Sequence, residues 1–104
     1  MVKVKENSYK VFTYVQAHED ENITAKDIAA ALGLDPKQVN GIVTAAFVRH
    51  RGDEVDADGK KIIVPLMERV EGELEIEEDG KIKHETVKFI RLTPEGRAFE
   101  CECE

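Results

Sequence analysis

The chain has 104 residues, 41% hydrophobic and 36% charged, with no Trp, which fits one domain around a modest aliphatic core. No apolar run approaches the roughly 20 residues a membrane span requires, and the opening MVKVKENSYK lacks the apolar stretch of a signal peptide, so a cytoplasmic location is expected. The formal net charge of -7 is unevenly spread. Residues 1–51 carry seven Lys/Arg against six Asp/Glu (+1), leaving eight bases and sixteen acids (-8) for residues 52–104.

In chain order, Ser8 to His18 reads as a first helix, with Val11, Phe12, Tyr14 and Val15 at helical spacing. A polar connection, Glu19 to Asn22, follows. A second helix is expected over Ala25 to Leu32. Thr24 is its N-cap, Asp27 lies close to its start, and Ile23 and Ile28 form a hydrophobic staple. Gly33 suits the left-handed residue that ends it. A third helix is expected over Pro36 to Phe47. Asp35 is its N-cap, Pro36 its first helical residue, Gln38 closes a capping box, and Leu34 and Val39 make the second staple. Val39, Ile42, Val43 and Ala46 form its core face. Two signalled helix starts separated only by Gly33 and Leu34 imply a sharp angle between the helices, the arrangement that places a second helix in the DNA major groove.

At 100° per residue, Lys37, Gly41 and Thr44 lie opposite Val39, with Gln38 and Asn40 flanking them. Gln and Asn can pair with adenine, Lys reaches guanine or phosphate, and Thr contacts phosphate or a thymine methyl. Gly41 costs a helix about 1 kcal/mol relative to Ala, which makes sense where another backbone must come close. Arg49, His50 and Arg51 follow and are expected to clamp phosphates, while also suiting a helix C-terminus. Lys3, Lys5 and Lys10 offer further backbone contacts from the N-terminal arm, or simply a flexible basic end.

The period then changes from near four to two. Asp56-Ala57-Asp58-Gly59 is a turn signal before a strand at Lys60 to Leu66, which Pro65 confines to an edge or bulge. The acids around that turn do not make an EF-hand: counting from Glu54, Gly59 fits position six, but Pro65 stands at twelve, where a bidentate Glu is needed. Val70 to Ile76 and Ile82 to Leu92 alternate around Glu78-Asp79-Gly80. A two-residue Asp-Gly turn would pair Ile76 with Lys83; a three-residue loop, which is preferred, pairs Ile76 with Ile82 on one face. Thr93 and Pro94 open a last short helix that returns Phe99 to the body. Residues 1–7 and 100–104 are expected to be flexible.

Three helices followed by a β-hairpin give an α+β chain that resembles winged helix-turn-helix DNA-binding domains of the MarR type. The residues that carry the resemblance are Thr24 to Ala29, Leu32-Gly33-Leu34, Val39 with Ile42-Val43, and Leu92 to Arg97. It implies a non-enzymatic binder of double-stranded DNA, a transcriptional regulator that gains specificity as a homodimer. The segment between the third helix and Leu92 departs from the pattern, being longer and acidic where a wing is usually basic. Its eight acids from Glu68 to Glu85 suggest an alternative, a protein-interaction module that docks a basic partner at hairpin 68–85. Glu71, Glu73, Glu75 and Glu77 alternate along one strand as a solvated face. No catalytic set or P-loop stands out, and no cofactor is expected. Cys101 and Cys103 supply two soft ligands where tetrahedral zinc wants four, and His18, His50 and His84 have no motif spacing to them. The pair cannot staple the domain, which agrees with a reducing compartment.

Overall fold

A computed structural model describes residues 2–104. The order is β1 (Val2–Val4), α1 (Glu6–Ala17), α2 (Ala25–Leu32), α3 (Pro36–Ile42) running into a π-helical segment (Val43–Val48), β2 (Arg51–Val55), β3 (Lys61–Ile63), β4 (Met67–Glu78), β5 (Lys81–Leu92), α4 (Pro94–Ala98) and β6 (Cys101–Cys103). The chain is α+β, and its strands pair two by two: β1 with β6, β2 with β3, β4 with β5.

The caps of α2 and α3 form from their own short sequences. The Thr24 hydroxyl accepts from the Asp27 N–H at 3.2 Å, and the Thr24 N–H donates to Asp27 Oδ2 at 3.0 Å. At α3 the Lys37 N–H donates to Asp35 Oδ1 at 2.8 Å, and the Asp35 N–H to Gln38 Oε1 at 3.0 Å. Between them Gly33 adopts φ 69°, a left-handed conformation glycine enters without penalty, and the Leu34 N–H returns to the Ala29 carbonyl at 2.9 Å.

The third helix is not α-helical to Phe47 as its pattern predicts. From Val43 it widens, and the Arg49 N–H reaches back five residues to the Thr44 carbonyl at 3.0 Å. The core supplies the reason. In an α-helix each four-residue step rotates by about 40°, so Val39, Val43 and Phe47 would drift off one line. The wider turn rotates Phe47 back, and all three side chains are fully buried. Phe47 stacks on Phe12 of α1 at 5.6 Å between ring centroids. Val11 and Val15 of α1, Ile28 of α2, and Met67, Ile90 and Leu92 from the base of the long hairpin complete this core. Phe99, beyond α4, packs edge-on against Phe12 at 5.7 Å.

The hairpin turn corrects the expected three-residue loop. Asp79 (φ 54°) and Gly80 (φ 76°) form a two-residue turn, so Glu78 pairs with Lys81 and Ile76 with Lys83. Positive φ at both central positions matches the right-handed twist of the strands. The shift moves Ile82 opposite Glu77, where it is 67% exposed. Partners in an antiparallel ladder share a face. One face of the outer hairpin therefore carries Leu74, Ile76 and Val87, and the other carries Glu71, Glu73, Glu75 and Glu77 against Lys88, Thr86, His84 and Ile82. The base is tied down where the Ile90 N–H donates to the Ile23 carbonyl at 2.8 Å and Arg91 Nη2 to Asn22 Oδ1 at 2.6 Å.

Two further pairings differ from the expectations. Arg51 to Val55, read only as a basic patch and an acidic turn, is the first strand of a small hairpin. Its loop closes when Asp56 Oδ1 accepts from the Asp58 and Lys60 N–H groups at 2.9 and 3.0 Å, which spends the carboxylate within the turn. The ends expected to be flexible lie side by side: β1 and β6 are parallel, with Val2 opposite Cys101 and Val4 opposite Cys103. Cys101 packs on the core, which anchors the ladder. Among the described residues, no helix is long and apolar enough to cross a membrane, and no group of three or more His, Cys, Asp or Glu side chains is placed to hold a metal.

Candidate nucleic-acid interface

The α3 helix and the π-helical segment it runs into turn Val39 and Val43 fully inward, and the opposite ridge faces out. Lys37, Gln38, Asn40 and Gly41 are exposed, and Thr44 is half-buried. A Cβ placed on Gly41 meets no atom within 4 Å, so open space lies above the ridge.

A shallow groove flanks each side of the ridge. On one side Gln38, Gly41 and Ala45 face β1, with Lys3 and Lys5 along the same groove. Lys3 and Lys5 thus stand in or beside an ordered strand next to α3, although Glu102 lies opposite Lys3 in the ladder. On the other side Asn40 and Pro36 of α3 and Lys26 of α2 face the hairpin through Leu74, Ile76, Val87 and Lys88.

The hairpin touches the ridge through Arg69 of β4, a residue that periodicity does not single out. Arg69 Nη2 donates to Thr44 Oγ1 at 2.9 Å, to the Asn40 carbonyl at 3.1 Å and to Asn40 Oδ1 at 3.4 Å. Asn40 lies 29 positions before Arg69. The only sequence signal for it is one base within an otherwise acidic strand.

The basic patch after α3 divides. Arg49 and Arg51 are exposed. His50 is half-buried, with its ring edge-on to Phe99 at 5.1 Å between centroids. Its ring packs against the body while the two arginines project outward. The hairpin is less uniformly acidic than a count of its acids implies. β4 carries six Glu and one Arg, whereas β5 carries four Lys/Arg and one Glu, and Glu68–Arg91, Glu71–Lys88 and Glu78–Lys81 stand directly opposite each other.

No protein-family model, curated protein or solved structure matches the chain.

Proposed function

We propose that this chain is a non-enzymatic, cytoplasmic winged-helix protein that binds double-stranded DNA as a transcriptional regulator. The helix that starts at Pro36 enters the major groove, and the β4–β5 hairpin is the wing. The observation that carries this reading is the ridge of Lys37, Gln38, Asn40 and Gly41, exposed on a helix with a reciprocal N-terminal capping box whose reverse side buries Val39. Caps and apolar packing hold the helix, and beyond the Gln38 and Asn40 oxygens that meet internal partners the ridge is open to solvent. It has the width and chemistry that a major groove admits.

In this reading Lys37, Gln38, Asn40 and Thr44 face base edges, and Gly41 lets the backbone approach. Arg49 and Arg51 hold phosphates, while His50 serves packing. A two-fold homodimer doubles the interface and sets half-site spacing. The test is titration of a labelled duplex pool at low and moderate ionic strength with wild type, Lys37→Ala and Arg49→Ala. Binding is expected, with a log–log salt slope that falls by about 0.9 for each phosphate left without its cation. No binding at low ionic strength refutes the reading.

A second reading, a module that docks a basic protein at residues 68–85, is favoured by the exposed row Glu71, Glu73, Glu75 and Glu77 on one hairpin face. Association with a basic peptide that is abolished by charge removal in this row, without any DNA binding, would select it.

A further inference from the structure

Resting on the DNA-binding reading above, we infer that the α3 ridge recognises guanine, because its polar side chains turn their acceptors toward partners within the protein and their donors outward. Lys37 carries an ammonium and has no acceptor. Gln38 spends Oε1 on the Asp35 N–H at 3.0 Å, which leaves its amide NH2 outward. Asn40 turns Oδ1 toward Arg69 Nη2 at 3.4 Å. A guanidinium has only donors, so the amide oxygen faces it and the NH2 faces away. Thr44 Oγ1 accepts from the same Nη2 at 2.9 Å, and its hydroxyl hydrogen is free to donate.

In the major groove guanine shows two acceptors, N7 and O6. Adenine shows one acceptor beside a donor, thymine one acceptor beside a methyl, and cytosine a donor. A surface of donors is satisfied most fully by guanine. The two-point pairing of an Asn or Gln amide with adenine needs an outward carbonyl, whereas Gln38 and Asn40 turn theirs toward Asp35 and Arg69. Arg69 is thus a positioning residue. It acts through Asn40 and Thr44 by fixing which atoms they present, and it links the hairpin to the reading surface.

The experiment is selection of binding sites from a randomised duplex library with the full chain, followed by base-analogue replacement in the selected site. Guanine enrichment is expected. Replacing a contacted guanine by 7-deazaguanine, which lacks the N7 acceptor, should weaken binding about 3- to 10-fold, the value of one hydrogen bond. Replacement by inosine, which keeps N7 and O6, should leave it unchanged. In Arg69→Met the Asn40 oxygen is released, and the guanine-over-adenine preference should fall by about 3-fold or more. A purely structural role for Arg69 would instead weaken all sequences alike. Selection of adenine, or no base preference, overturns the inference and leaves DNA binding standing. Absence of any duplex binding removes both. The analogue measurements use wild type, so they decide the matter even if Arg69→Met does not fold.

Discussion

Single residues separate what the fold demands from what the surface leaves open. A Cβ on Gly96 would collide with the Leu66 carbonyl, a backbone group fixed at 3.0 Å by the Thr93 N–H. No rotamer change relieves that clash. Gly96→Ala is expected to cost about 3 kcal/mol, lowering Tm by more than about 10 °C in a domain of this size. Gly41→Ala should do the reverse. Its Cβ meets nothing, so the helix gains about 1 kcal/mol and Tm rises by about 5 °C. Thermal melts of both variants decide it; a less stable Gly41→Ala would mean that the ridge is not open. The two thiols make a second residue-level comparison. Burial pushes the Cys101 pKa above its ordinary 9.0, while Cys103 is exposed. Thiolate is the reactive form, so alkylation followed by mass spectrometry should modify Cys103 well before Cys101. The folded state keeps the Cys101 proton longer than the unfolded chain. The stability linked to it is complete below pH 9.0 and declines as pH rises above that value. Equal alkylation rates would show that β6 does not hold Cys101 against the core.

Among the elements, the two-residue turn sets the register of the longest one. Gly80 sits at φ 76°, where a Cβ costs about 1–2 kcal/mol. Gly80→Ala is therefore expected to speed amide exchange along the outer half of β4 and β5, while the protection of α1 and α2 stays unchanged. Asp79→Asn should preserve or tighten the hairpin, because Asn-Gly favours this turn. Exchange that accelerates throughout the molecule would tie the outer hairpin to the core more closely than its exposure suggests. Elements closed locally are also the ones legible in the sequence. The caps at Thr24 and Asp35 are readable because each is closed within three residues. The buried line of Val39 and Val43 follows from helical spacing, and so does the exposure of Lys37, Gln38, Asn40 and Gly41 opposite it. The π segment is not readable, because it answers to where Phe12 needs Phe47. His50 carries a charge pattern that suits phosphate, but its place is decided by Phe99, distant in sequence. Arg69 is hidden for the same reason, and β1 meets β6 across nearly the whole chain. The hairpin register turns on a choice between two loops that local composition leaves nearly balanced.

At the scale of the whole molecule, the hairpin makes the shape. Twelve residues per strand span about 40 Å. They stretch the chain to 56 × 30 × 23 Å with a radius of gyration of 15.6 Å, against about 13 Å for a compact domain of this length. This projection carries eight of the sixteen acids of residues 52–104, together with five bases. A net charge of -7 repels DNA at long range, yet the α3 ridge carries no acid, so in the proposed DNA-binding reading repulsion and contact come from different parts of the molecule. Changing Glu71, Glu73, Glu75 and Glu77 together to Gln raises the net charge by four, from -7 to -3. None of the four lines the groove between the hairpin and α3, to which β4 contributes Arg69, Leu74 and Ile76. These carboxylates should therefore act on DNA only through the screened field, which fades beyond about 10 Å at 0.1 M salt. The quadruple variant is expected to bind duplex DNA more tightly at low ionic strength, mainly by faster association, and to converge on wild type as salt rises. Its base preference should not change. Association and dissociation rates across a salt series check this directly. A gain that persists at high salt, or appears in the dissociation rate, would put the glutamate face against the duplex and require a different docking of the wing.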